Sequence, residues 1–254
     1  MLRIVPMKKT LLFFLLPASI LTAQTSADAW INEFHYDNSS TDVNEFIEVV
    51  IKDVSTYPAA NWTITRYNGS NNQSYGSAIA GNAGSVSATT VNGLTILDFD
   101  FSSVSGNLQN GTQDGFSLDY NGTVVQFLSY EGSLTASNGP ASGVTSNDVG
   151  VRETSSTPSG HSLQLAGIGD AYNDFKWQEA AADTDGAFNN NQKIVSTSTA
   201  LTIASGESFS IYNTVQVASL NNSGTLTIVG DDSGYGQLKV TGTISNSGTI
   251  IQQQ

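Results

Sequence analysis

The chain has 254 residues, no cysteine and a formal net charge of −13. Without cysteine no disulfide can staple it, so its stability has to come from packed cores, for which the length suffices. The acidic balance argues against a nucleic-acid backbone or an anionic membrane surface as the main partner, since both call for basic patches.

The first segment reads as a secretory leader. Met7-Lys8-Lys9-Thr10 is a short basic region, an apolar run follows from Leu11 to Leu21, and small residues allow cleavage after Ala23 or Ala27. The run is too short for a membrane span of about 20 residues. No cysteine follows it, so no lipid anchor is expected. Removing residues 1–23 takes away Arg3, Lys8 and Lys9 and no acid, so the charge becomes −16. No later run approaches a span.

Helical periodicity is nearly absent beyond the leader. Short β-prone runs alternate with Gly, Asn, Asp and Ser turns, which predicts an all-β sandwich or barrel. Strands are expected over 30–36, 45–52 and 62–67, with a Gly/Ser/Asn-rich loop over 69–89. Asn92-Gly93 is a turn leading into a strand over 94–101. The clearest hairpin is 116–120, Asn121-Gly122, then 123–130, because Asn-Gly supplies the positive φ angles of a type I′ turn. A loop over 131–147 and strands over 148–152 and 162–165 follow, and Trp177 closes the core. Composition then shifts. Asn-Ser-Gly-Thr recurs from Asn222 to Asn246 within similar β-prone runs, and 201–203 with 209–211 form an earlier, degenerate copy. A period in the low twenties predicts rungs of a parallel β-solenoid, with a plain meander as the alternative. The expected units are a leader (1–23), a sandwich (28–193) and a β-repeat segment (194–254). The last run stops directly after a rung, so the chain reads as a fragment.

Chemistry-bearing residues are few. Glu33 and His35 share one strand face. If the first two strands pair, Glu45 or Glu48 could join them to hold a metal or move a proton. The alternative is that these acids bind backbone amides and fix the intervening loop. Asp37, Asn38, Asp42 and Glu45 form an oxygen-rich stretch suited to Ca²⁺, although without the loop glycine of an EF-hand. Asp183-Thr184-Asp185-Gly186 and Asp231-Asp232-Ser233-Gly234 read as capped turns. Asp98 and Asp100 read as a solvated acidic face on a half-buried strand. His161 reads as a solvated loop residue. Tyr57, Trp62, Tyr67 and Tyr75 are either a sugar-stacking surface or core. Several Asn-x-Ser/Thr sites carry meaning only in a eukaryotic secretory route.

Ile31-Asn32-Glu33-Phe34-His35-Tyr36-Asp37 followed by Glu45-Phe46-Ile47-Glu48-Val49 resembles the opening of bacterial lamin-tail (LTD) domains. Asn61-Trp62 onward, 126–132, 162–165 and 185–189 are similar to later segments of the long secreted variety, so the resemblance covers about residues 28–193. Asn32, Glu33, Tyr36, Glu45, Phe46, Glu48 and Trp62 carry it. Two departures are Asn61, where Gly is usual, and the long stretch between Tyr67 and Phe116. The resemblance implies an immunoglobulin-like β-sandwich and no intrinsic catalysis. The tail resembles linker repeats found after such domains in bacterial surface proteins.

The leading expectation is an exported, non-catalytic module of a bacterial cell-surface or secreted protein, acting in adhesion or domain presentation. Its partners would be a surface protein, a glycan or other domains of a longer chain, with no cofactor unless Ca²⁺ binds. The alternatives are the accessory domain of a secreted hydrolase such as a nuclease, a Ca²⁺- or carbohydrate-binding module, and a small enzyme or metal protein built on Glu33, His35 and Glu48.

Overall fold

A computed structural model describes residues 28–102, 107–231 and 234–253. The leader expected over 1–23, and Asp232 and Ser233 of the expected second acidic turn, lie outside the described residues. In chain order come β1 (Ala29–His35), β2 (Phe46–Ile51), a 3-10 turn (Ala59–Asn61), β3 (Trp62–Asn68), β4 (Gln73–Ala80), β5 (Val86–Val91), β6 (Leu94–Asp100), β7 (Gly115–Tyr120) and β8 (Thr123–Ser129). Next are β9 (Asn147–Asp148), β10 (His161–Gly169), a second 3-10 turn (Tyr172–Asp174), β11 (Lys176–Ala182) and β12 (Gln192–Ile194). One sheet runs β11-β10-β1-β2-β6-β5, with β12 laid parallel along the end of β10. The other runs β4-β3-β7-β8-β9. The protein is all-β, as the alternation and turn chemistry predict.

Strand alternation explains how the two sheets meet. Ile31, Phe34, Ile47, Val49, Leu97 and Phe99 of the first sheet share one apolar cluster with Trp62, Ile64, Phe116, Leu118 and Leu128 of the second. Phe34 meets Phe116 edge-on at 5.0 Å between ring centroids, and Tyr36 stacks on Tyr130 at 3.9 Å. The first sheet is also covered on its other face. There Trp30, Val50, Ile96, Leu165 and Phe175 form a second cluster. Burial on both faces is why every residue of β1 and β2 is buried. Asn92-Gly93 and Asn121-Gly122 both have positive φ at each residue, as type I′ turns require.

Three expectations need correction. The segment 69–89 is not a loop, since β4 and β5 form the sheet edges there. Both edge strands are largely exposed and polar, so backbone pairing forms them without an apolar face that would betray them in sequence. The strand expected over 148–152 stops after Asp148. Gly150, at φ 79°, turns the chain away. His161 opens β10, half-buried and in register with Ala182, rather than sitting in a solvated loop.

Residues from 200 onward build a solenoid-like stack. Its strands are β13 (Ala200–Ile203), β14 (Ser208–Ile211), β15 (Thr214–Val217), β16 (Ser219–Asn222), β17 (Thr225–Asp231), β18 (Gly234–Tyr235), β19 (Gln237–Val240), β20 (Ile244–Asn246) and β21 (Thr249–Gln253). They pair in parallel as β13-β16-β20, β14-β17-β21 and β15-β19, while β18 folds back on β17. The parallel pairing overturns the meander alternative. Asn222 faces Asn246 across one step of the repeat, and its Nδ2 donates to the Asn246 Oδ1 at 2.8 Å. The glycine of Asn-Ser-Gly-Thr also has a physical cause. A Cβ on Gly224 would come within 2.3 Å of the Ala204 carbonyl oxygen, and one on Gly248 within 2.3 Å of the Gly224 oxygen.

Leu201, Ile203, Phe209, Ile211, Val215, Val217, Leu220 and Leu226 fill the stack's interior. Ile168 of β10 and Val195, just beyond β12, belong to the same cluster. The stack therefore grows directly from the end of β10.

Candidate functional site

The outer face of the first sheet carries a row of polar side chains in strict register. Gln178, Gln164, Glu33, Glu48, Asp98 and Ser87 are successive cross-strand partners on β11, β10, β1, β2, β6 and β5. Period-two alternation puts Glu48 and Asp98 on the same face as Val50 and Ile96. A register shift between Ile31 and Glu33 adds a residue to β1. It lets Asn32 and Glu33 both serve the outer face, as Asn32 bonds to Trp30 and Glu48 there.

A strap, residues 183–191 between β11 and β12, lies over this row. Glu33 accepts hydrogen bonds from the Ser162 hydroxyl at 2.5 Å, the Thr184 N–H at 2.9 Å and the Thr184 hydroxyl at 2.5 Å. Glu48 accepts from Asn32 Nδ2 and from the Gly186 N–H, each at 3.0 Å. Asn189 Nδ2 donates to the Asn32 and Leu165 carbonyls, and Gln192 Nε2 to Asn32 Oδ1. Asn32, Glu33 and Glu48 are thus the anchors of the strap.

Glu33 and Glu48 are fully buried and adjacent. Burial pushes Glu33 above the usual carboxylate range, against the bonds from Ser162 and Thr184. Burial and then the neighbouring Glu33 charge push Glu48 well above it. Burial, followed by Asp185, pushes Asp98 up to about 7. Asp98 is therefore half-buried rather than a purely solvated acid, and burial raises the pKa of Asp185 as well. Beside them opens a basin of about 370 Å³ lined by Asn44, Glu45, Phe46, Asp98, Asp100, Ser102, Asp183 and Asp185.

His35 does not join Glu33 and Glu48. Its Nδ1 donates to Glu153, 2.9 and 3.0 Å from the two carboxylate oxygens, and its Nε2 lies 3.2 Å from both Asn38 Oδ1 and the Val43 carbonyl. Burial works against a charged ring, but the Glu153 bond and charge outweigh it and raise the His35 pKa. Glu153 also accepts from the Tyr36 and Asp37 N–H groups at 2.6 and 3.1 Å. With His35 and Glu153 at 2% and 0% exposure, the pair is an internal clamp on the loop start.

Among the Ca²⁺ candidates, the side-chain oxygens of Asn38, Asp42 and Glu45 are engaged locally. Asn38 Oδ1 accepts from the Val43 N–H, and its Nδ2 donates to the Ser39 and Thr41 carbonyls. Asp42 accepts from the Asn38 N–H and from Asn110, and Glu45 accepts from the Leu108 N–H at 2.5 Å. Asp37 stands beside Asp42, and burial followed by that neighbour raises its pKa. Burial raises Glu45 to about 7. Among the described residues no group of three acidic or imidazole side chains is placed to share an ion. Of the four aromatics, Trp62 and Tyr67 are core residues, while Tyr57 and Tyr75 are half-buried and the Tyr75 hydroxyl is tied to the Asn107 carbonyl and the Gln109 N–H.

Sequence reasoning missed Glu153 and the anchoring role of Asn189. The capped turn at 183–186 carries no sign of what it would cover, and Glu153 lies 118 residues from its histidine. Among the described residues no helix is long and apolar enough to cross a membrane. The chain matches no protein-family model, curated protein or solved structure.

Proposed function

We propose that the chain is a non-catalytic module of an exported bacterial surface or secreted protein, in which a lamin-tail-type, immunoglobulin-like sandwich caps and presents a β-solenoid stalk. The observation that carries this reading is the position of Ile168 and Val195 inside the apolar cluster of the stack. Solenoid rungs bury their apolar faces only against neighbours, so the first rung needs a partner that is not a rung. Here β10 and β12 supply it. Lys193 adds an ion pair to Glu207 at 3.2 Å and lies 4.5 Å from the centroid of the Phe209 ring.

The absence of catalysis is supported by what the polar residues do. Glu33, Glu48, His35 and Glu153 are buried and spend their bonds on the strap and the loop. The leader-like composition of residues 1–23 supports export, and the order of the lamin-tail-like motifs supports the fold type. The test is Ile168→Asn, read by amide hydrogen exchange in the full chain. A cap predicts lost protection in β13 to β17 with β2, β3 and β7 still protected. Unchanged protection throughout the stack would sink the reading.

A further inference from the structure

We propose that a groove along β11, on the side of the sandwich where β11 ends one sheet and β9 the other, binds a neutral oligosaccharide. Two cavities make up the groove. One, of about 460 Å³, is walled by Glu131, Arg152 and Glu179, and the other, of about 270 Å³, by Tyr172, Asn173 and Trp177. Asp148 of β9 lines both, so they run into each other. Between Lys176 and Ala180 the groove follows β11 for about 13 Å, longer than one sugar ring. The larger cavity alone is within the about 300–1,000 Å³ of ordinary ligand sites.

The floor is apolar and held in place from below. Val149, Val151, Tyr172, Trp177 and Ala180 are half-buried and pack against the main core. The Trp177 ring meets Phe34 edge-on at 5.1 Å, and its Nε1 donates to the Tyr172 hydroxyl at 3.0 Å. Neither ring has to be ordered when a ligand arrives, which removes part of the entropic cost of binding. The C–H face of a sugar ring suits the electron-rich face of such aromatics.

The walls select for a neutral, hydroxyl-rich ligand. Glu131, Asp148 and Glu179 bring acceptors, while Arg152, Lys176 and Asn173 bring donors. With both signs of charge present, neither a polyanion nor a polycation is favoured, whereas a hydroxyl can both accept and donate. Arg152 and Lys176 make no ion pair among the described residues, so their donors are free for a ligand. The Tyr36 hydroxyl donates to Glu131 at 3.1 Å and steadies that wall.

An added peptide strand fits the same edge poorly. The register of β10 with β11 jumps between Ser162 and Gln164, so Glu179 and Ala180 together oppose Leu163. Such a bulge breaks the even spacing that a further strand needs. Gln178 Nε2 also donates to the Lys176 and Trp177 carbonyls at 3.1 and 3.0 Å.

The test is NMR titration of the isotope-labelled full chain with cellohexaose, mannohexaose and N-acetylchitohexaose. Trp30 and Trp62 are buried and Trp177 is half-buried, so a groove ligand should move one indole signal, which Trp177→Phe identifies. The amides of 148–154 and 172–180 should move with it for at least one sugar. Arg152→Ala and Asn173→Ala change exposed side chains, one in each cavity, and each should weaken binding about three- to tenfold. No response to any of the three sugars, a response elsewhere, or affinity unchanged in both variants overturns the proposal. So does a groove response to a peptide of alternating Lys and Val without one to the sugars. The capping reading is tested separately, because no groove residue belongs to the stack's cluster.

Discussion

Glu153→Gln tests the most deeply buried ion pair among the described residues. The Glu153 carboxylate is 0% exposed and accepts from His35 Nδ1 and from the Tyr36 and Asp37 N–H groups. Glutamine has one acceptor oxygen, and its NH₂ would turn a donor toward groups that are already donors. Breaking one partner of a buried pair costs about 3–5 kcal/mol, a large share of the about 5–15 kcal/mol that holds a typical domain together. The histidine gives a second signature. Its folded pKa is raised, so its contribution is fully present below the unfolded value of 6.5 and is lost as the pH rises through the folded value. Urea denaturation at pH values on either side of that window should show the wild type losing stability as pH rises. The variant should start about 3–5 kcal/mol lower and show no such loss in that window. NMR titration of the His35 ring should place the wild-type pKa above 6.5 and the variant's below it. A stability change under about 1 kcal/mol, with an unmoved His35 titration, would refute the clamp.

Two further outcomes test the local devices. Asn222→Ala removes a buried side chain that bonds to Asn246 Oδ1 and the Thr249 carbonyl, so it should destabilise the stack by about 1–3 kcal/mol, measured as a lower midpoint for the stack in hydrogen-exchange denaturation profiles. Gly122→Val places a β-branched residue at φ 77°, so it should lower global stability by about 1–2 kcal/mol in thermal unfolding, whereas a type I′ hairpin that is not needed would leave the melting temperature unchanged.

Much of the architecture was legible because its signals are local. Asn121-Gly122 encodes a hairpin within two residues, and alternation in Phe116, Leu118 and Tyr120 fits the strand on its first side. The second Asn-Ser-Gly-Thr copy announced a stack because a repeat that buries its face only on neighbours must place equal residues in register. β4 and β5 were not legible, since an edge strand exposed on its side chains needs no apolar pattern. That Glu33 and Glu48 bind backbone amides was one reading open in sequence, but the segment they hold is the strap over 183–191 and not the loop between β1 and β2. The structure supplied the groups they anchor.

What the sequence determined by itself is the all-β class, the turn positions and the repeat, because backbone sterics and side-chain period act over a few residues. Where the charges go is settled by contacts between segments far apart in the chain. Glu33 meets Thr184 across 151 residues, Asn32 meets Asn189 across 157, and His35 meets Glu153 across 118. No local pattern specifies such partners. They follow from sheet order and register, which bring Glu33, Glu48 and Asp98 into one row and fold the strap back over it.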